Sequence, residues 1–195
     1  MAKDKMIPLL QEISRCRLCE AQLPLGPRPV VRASATARLL IIGQAPGTRV
    51  HETGIPFNDP SGDRLRDWLQ LDREQFYDTG RIAIMPMGFC YPGRGKGGDL
   101  PPRPECAPTW HQKLLAQMPN LELVLLVGRY AQAYYLDSPY RTLAETVRHH
   151  QEFGPLYFPL PHPSPRNLLW LRRNPWFEAE VLPVLRQRVQ ALLAH

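Results

Sequence analysis

The chain has 195 residues, 44% of them hydrophobic, which is enough for one domain with a real core and ordinary for a globular protein. Its opening stretch, MAKDKMIPLLQEISRC, holds no long apolar run, so the sequence predicts neither a signal peptide nor a membrane span, and hence a cytoplasmic protein. The formal charge is +6, and its cations cluster in a way that suits a polyanionic partner.

In chain order, a helix is expected over about 3–15, followed by the C-x2-C pair Cys16 and Cys19. The apolar run ARLLIIG (37–43) predicts a buried strand, and SGDRLRDWLQL, from Ser61, a helix. RIAIMPM (81–87) predicts a second strand, PECAPTWHQKLLAQM (near 104–118) a helix and LELVLLVG (121–128) a third strand. RYAQAYYL and TLAETVRHHQE, after 129, are helical, and LYFPL (156–160) is the fourth strand. NPWFEAEVLPVLRQRVQALLAH closes the chain as a long helix, with Asn174 as its expected N-cap and Pro175 at its first position. Pro86 and Pro159 are expected at strand ends, because proline cannot donate to a ladder. Near-continuous apolar runs suit strands covered on both faces. Strand alternating with helix predicts an α/β fold, a three-layer sandwich around a four-stranded, mainly parallel sheet, in one domain over 1–195.

In such sheets ligands bind beyond the carboxyl ends of the strands. GQAPG follows the first strand, GFCYPGRG the second and PHPSPRN the fourth, so the unusual motifs converge on one cleft. The stretch YFPLPHPSPRNLLWLRRNP (157–175) carries His162 on a backbone stiffened by proline, since each proline fixes its own φ and biases its predecessor toward extended conformations. A stiff loop holds an imidazole in one place. Arg166, Arg172 and Arg173 crowd that loop, and Arg94 and Lys96 lie among the glycines of YPGRGKGGD. Clustered cations of this kind suit a nucleic-acid backbone.

Cys16, Cys19, Cys90 and Cys106 are the only cysteines. Two pairs in a cytosolic chain predict a metal site rather than disulfides, and zinc or an iron–sulfur cluster satisfies the spacing equally. Either would staple the N-terminal helix to the segment after the second strand. In IIGQAPGTRVHETGIPFNDPSGDRL (41–65), Gly43 and Gly47 allow close backbone approach to a ligand. There is no G-x-G-x-x-G and no P-loop lysine, so a nucleotide cofactor is not indicated. Phe57, Asn58 and Asp59 stand immediately before a helix. Asp59 or Ser61 can cap it, and Phe57 reads as core or as a stacking platform.

Together, Gly43–Gly47, TGIPF (53–57), the paired cysteines and HPSPRN (162–167) resemble the uracil-DNA glycosylase superfamily, most of all its bacterial and archaeal iron–sulfur branches. The resemblance spans residues 16 to about 167. It implies a four-stranded parallel sheet between helices, a [4Fe–4S] cluster on Cys16, Cys19, Cys90 and Cys106, and excision of a base from DNA. By position, it implies that Gly43, Gln44 and Ala45 line the base pocket, that Phe57 stacks on a flipped base and that His162 steadies negative charge on the departing base. Ser164, Arg166 and Asn167 would press into the minor groove, with Arg166, Asn167 or Leu168 filling the gap left by the extruded nucleotide. Arg172 and Arg173 would belong to the same DNA face.

The sequence departs from the family pattern at defined points. Ala45 stands where the main uracil enzymes have a water-positioning aspartate, and Gln44 where the commonest iron–sulfur branch has glutamate. Asp59 matches an aspartate of another iron–sulfur branch and is the expected catalytic carboxylate, with His51 and Glu52 in reserve. Pro86 occupies the usual place of the asparagine that reads the uracil edge, and Gly47 that of a bulky residue that excludes thymine. The expected function is a monofunctional DNA glycosylase, a monomer acting on DNA that contains uracil or another deaminated or damaged base, with no membrane partner. The alternatives are a DNA-binding damage sensor that keeps the fold without turnover, and a covalent uracil trap. The segment YPGRGKGGDLPPRPE opposes the trap, because it contains no histidine.

Overall fold

A computed structural model describes residues 4–194. Helix α1 (Met6–Ser14) precedes β1 (Leu39–Ile42), α2 (Thr48–Thr53), α3 (Pro60–Leu69) and α4 (Arg73–Phe76). Strand β2 (Ile82–Ile84) is followed by an antiparallel hairpin, β3 (Arg94–Gly95) and β4 (Gly98–Asp99), then by α5 (Gln112–Ala116) and β5 (Leu123–Val127). Helices α6 (Arg129–Tyr135) and α7 (Leu143–Arg148), strand β6 (Tyr157–Leu160), and helices α8 (Leu168–Arg173) and α9 (Leu182–Leu193) complete the order. The expected first helix thus starts at Met6, and residue 3 lies outside the described residues.

The main sheet runs β2-β1-β5-β6 and is parallel throughout, as the sequence predicts. Leu39, Ile41, Ile82 and Leu125 pack on one face against Leu65 and Trp68 of α3 and Leu185 and Val189 of α9. Leu40, Ile42, Ala83 and Leu126 pack on the other against Ile13 of α1 and Leu114 of α5. Period-two alternation divides each apolar run between two cores, which is why the strands read as continuous rather than alternating. Strands β1 and β5 are central neighbours, and the chain leaves β1 toward β2 on one side and β5 toward β6 on the other. That reversal is a topological switch point, and it opens a crevice at the carboxyl ends of the two central strands. Among the described residues no helix is long and apolar enough to cross a membrane.

Two local expectations are corrected. Pro159 lies inside β6, not at its end. The Val124 and Gly128 N–H groups of β5 and its flank donate to the Leu156 and Leu160 carbonyls, so even-numbered residues face β5. Strand β6 is an edge strand, and the N–H that Pro159 lacks would point away from its only neighbour. Asn174 does not cap the last helix. Its Nδ2 donates to the Trp170 carbonyl at 2.8 Å and its Oδ1 accepts from the Trp176 indole at 3.2 Å, so it closes α8 instead. The closing helix begins as a wide π turn at Phe177–Val181 before α9, where Pro183 has no N–H for the carbonyl four residues back. A second π turn, Ala107–His111, contains Pro108 and leads into α5.

Candidate active site

A cleft of about 660 Å³ opens at the switch point, lined by residues that follow all four strands of the main sheet. Glycines end both central strands, and each makes room for one aromatic ring. A Cβ at Gly43, after β1, would lie 3.0 Å from Cζ of Phe57. Gly128, after β5, has φ +86°, and a Cβ there would lie 3.4 Å from Cδ2 of His162. The two rings the sequence singles out therefore rest on the two central strand ends.

Phe57 is held in an uncommon backbone conformation. Its φ is +56°, in the left-handed region that a bulky residue rarely adopts. Three neighbours hold it there. The buried Arg66 guanidinium donates through Nη1 to the Phe57 carbonyl and to the Tyr77 hydroxyl, both at 3.2 Å, and through Nη2 to Asp63 at 2.7 Å. The Tyr77 hydroxyl in turn donates to the Pro56 carbonyl at 2.6 Å. Gly62 lies directly against the Phe57 carbonyl. The ring itself meets Phe76 edge-on, with centroids 6.1 Å apart. A buried cation is tolerable only when its donors are satisfied, and Arg66 spends them on this turn.

The proline-stiffened loop fixes His162 by hydrogen bonds as well. The Ser164 N–H donates to His162 Nδ1 at 3.1 Å, so Nδ1 is an acceptor and the ring proton sits on Nε2. Asn167 Nδ2 donates to the His162 carbonyl at 3.0 Å. Burial lowers the His162 pKa below its ordinary value, while the charges of Asp59 and Asp99 pull it back up. The ring is neutral at pH 7, and Nε2–H has no partner among the described residues.

Asp59 is the N-cap of α3: its Oδ1 accepts from the Gly62 N–H at 2.8 Å. It also lines the cleft, so capping and cleft chemistry are not exclusive. Gly43, Gln44 and Ala45 line the same cleft, together with Ser164, Arg166 and Asn167. Ser164 and Asn167, expected on the DNA, have work inside the loop: both bond His162, and the Ser164 hydroxyl accepts from the Arg166 N–H. Arg172 and Arg173 are exposed on α8, outside the cleft lining. His51 and Glu52 are also outside it, on α2, where Arg28 takes both their carbonyls. Exposed Arg49, Arg94, Arg129 and Arg166 line the cleft, which gives its rim a cationic character suited to phosphates.

The family model of the uracil DNA glycosylase superfamily matches residues 31–186, which include every strand and every cleft residue described above. The chain belongs to the uracil DNA glycosylase superfamily. Membership points to DNA glycosylase chemistry, the hydrolysis of a bond between a base and its sugar. Cys16 and Cys19 lie ahead of the matched segment.

In this superfamily member all four cysteines line one small pocket beside α1, with Phe89 and Trp110. None is in a disulfide. Burial pushes the Cys90 thiol up to about 11 and Cys106 to about 12, so thiolates there need a compensating cation. The Phe89 N–H approaches Cys106 Sγ at 3.5 Å, and the buried Trp110 Nε1 has no hydrogen-bond partner. A buried, unpartnered N–H on a residue that lines the same pocket as the four cysteines fits a pocket built for a group that brings further acceptors. No three His, Cys, Asp or Glu side chains among the described residues converge closely enough to share a single ion.

Sequence reading missed Arg66, Tyr77, Gly62, Gly128 and Asp99. Gly128 had a usable signal, since it follows the third strand as Gly43 follows the first. Arg66 had none: on a helix rich in charge, a buried arginine reads like its solvated neighbours.

Proposed function

We propose that this protein is a monofunctional DNA glycosylase, working as a monomer, that flips uracil or another deaminated or damaged base from DNA and hydrolyses its N-glycosidic bond. The observation that carries this is the neutral, Nε2-protonated His162, fixed on a stiff loop across the switch point from the Phe57 ring. As the C1′–N bond breaks, its electron pair passes to the base and positive charge grows on the sugar. A preorganised N–H aimed at the developing anion is worth far more than the same donor in water, because it needs no reorganisation. Phe57 supplies a face for the extruded base, which repays part of the few kcal/mol of unstacking. Asp59 Oδ2, not used in capping, is available to the sugar cation or the attacking water.

Base identity rests on the cleft floor. Pro86 carries no polar side-chain group, and its carbonyl accepts from His111 at 2.9 Å. His111 is a buried neutral imidazole, its pKa lowered to about 4 by desolvation, and the Tyr135 hydroxyl donates to its Nδ1 at 2.6 Å. Asn167 is tied through its Nδ2 to the His162 carbonyl, whereas the Gln44 carboxamide has no hydrogen bond among the described residues. Gln44 is then the cleft carboxamide left to read a base edge. The test is a panel of duplexes, each with one modified base, incubated in enzyme excess and then treated with alkali. At least one should break at the modified position. A gel shift without an alkali-labile site on any duplex would leave a damage-binding protein in its place.

The same reading assigns a [4Fe–4S] cluster to Cys16, Cys19, Cys90 and Cys106. Such a group would tie α1 to the segment between β2 and α5 and takes no part in bond cleavage. Support comes from the four thiols, none of them in a disulfide, around one pocket. Anaerobically purified protein should contain iron and acid-labile sulfide in equal amounts, about four of each per chain, and absorb in the visible range. Stoichiometric zinc without sulfide would reject the cluster.

A further inference from the structure

We propose that Asp99 is a second catalytic carboxylate of this cleft, the group that takes a proton from the water attacking C1′. The inference rests on the glycosylase reading above.

Asp99 reaches the cleft by a route the sequence does not announce. It sits on β4, in a hairpin of two-residue strands inside a glycine-rich loop. Asp59 and Asp99 are the carboxylates that line the cleft among the described residues. Oδ2 of Asp99 lies 3.6 Å from the position a Cβ would take on Gly47. It therefore stands over the GQAPG loop, where Ala45 leaves the first strand end without a carboxylate. The two acids differ in how they are engaged. Asp59 gives Oδ1 to the α3 cap, while the Asp99 carboxylate has neither a hydrogen bond nor an ion pair among the described residues, even with its cross-strand neighbour Arg94.

The hairpin is also fastened to the catalytic loop. Arg166 Nη1 donates to the Gly97 carbonyl at 2.7 Å, and the next residue, Gly98, has φ +126°. A Cβ at Gly98 would lie 2.1 Å from that same Nη1, so the guanidinium can seat only over a glycine. Arg166 thus clips Asp99 to the loop that orients His162. The closeness is electrostatic as well, since the charges of Asp59 and Asp99 both act on the His162 ring.

The step balances with these groups alone. The C1′–N bond breaks and its electrons go to the base, which His162 Nε2–H steadies. Water oxygen bonds to C1′ and gives one proton to Asp99, which passes it through solvent to the departed base. The products are an abasic sugar with a C1′ hydroxyl and a free neutral base.

The experiment measures single-turnover excision of the best-excised base by wild type, Asp99→Asn and Asp99→Ala, with binding to abasic DNA in parallel. Removing a general base should slow excision about 100-fold or more while abasic-site binding stays within about twofold. Added azide attacks C1′ without surrendering a proton, so it should restore turnover of Asp99→Ala and give a 1′-azido product. An Asp99→Asn enzyme within about threefold of wild type overturns the role. So does an Asp99→Ala defect that azide leaves untouched and that abasic binding matches, which would make Asp99 part of the DNA surface. In both of these cases wild-type excision still stands, so the glycosylase reading survives. A wild type that excises no base overturns the two together.

Discussion

His162→Ala should slow single-turnover excision by about 100- to 1000-fold, or roughly 3–4 kcal/mol, the usual cost of deleting one preorganised donor to a developing anion. Affinity for abasic DNA should barely change, because no leaving-group charge remains for the imidazole to meet. The pH profile of the wild type carries a second expectation. Burial holds the His162 pKa below its ordinary value, so the Nε2–H tautomer persists as the pH falls past about 6.5. The excision rate should therefore run flat through that point. It should fall only at lower pH, where a proton on Nδ1 would break the bond from the Ser164 N–H. Stability follows the same sign. The unfolded chain takes up this proton at about pH 6.5 and the folded chain resists it, so the contribution of the neutral ring is complete above that pH and is lost as the pH drops. Imidazole nitrogen shifts, followed with the rate, check both. A step in rate centred near pH 6.5, or Nδ1 found protonated at pH 7, would sink the tautomer assignment.

Gly62→Ala should be among the most damaging small substitutions in the chain, although it adds one methyl group in the first turn of a helix. The new Cβ would fall 1.7 Å from the Phe57 carbonyl oxygen and 2.6 Å from its carbon. Both are backbone atoms, and neither can swing aside. Relieving the clash means giving up the Asp59 cap, the Arg66 bond to Phe57, or the left-handed turn itself. The expected loss is about 3 kcal/mol or more, which in a domain of this size lowers Tm by about 6–12 °C. Gly43→Ala separates the platform from the fold. Its Cβ would meet only the tip of the Phe57 ring, at 3.0 Å, and a ring can tilt. Stability should change by about 1 kcal/mol or less, while excision weakens because the stacking face has moved. Thermal unfolding of both variants, with single-turnover rates for Gly43→Ala, decides the matter. If Gly62→Ala melts with wild type, the turn is not held as described.

What the sequence determined by itself is what short segments encode. Apolar runs bounded by glycine and proline marked all four strands of the sheet, since two-sided burial leaves no polar residues within a run. Asp59 could be read as a cap because capping is decided within three residues. The stiffness around His162 was legible because proline acts on its own φ and on its immediate neighbour. Only the tertiary structure decided the rest. Pro159 is acceptable inside β6 because that strand has one neighbour, which is a property of strand order. Asn174 serves the helix before it, since Trp170 and Trp176 both present groups to its amide. Arg66 became a buried prop because the Phe57 carbonyl, nine residues back, and the Tyr77 hydroxyl, eleven residues on, meet at one point. Asp99 entered the cleft because Arg166, 69 residues further along the chain from Gly97, clips its hairpin there. Pro159 and Asp99 depend on segments brought together from far along the chain, and Arg66 on groups nine and eleven residues away. Asn174 depends on which of two adjoining helices its neighbours present groups from, and no periodic pattern of side chains records any of these.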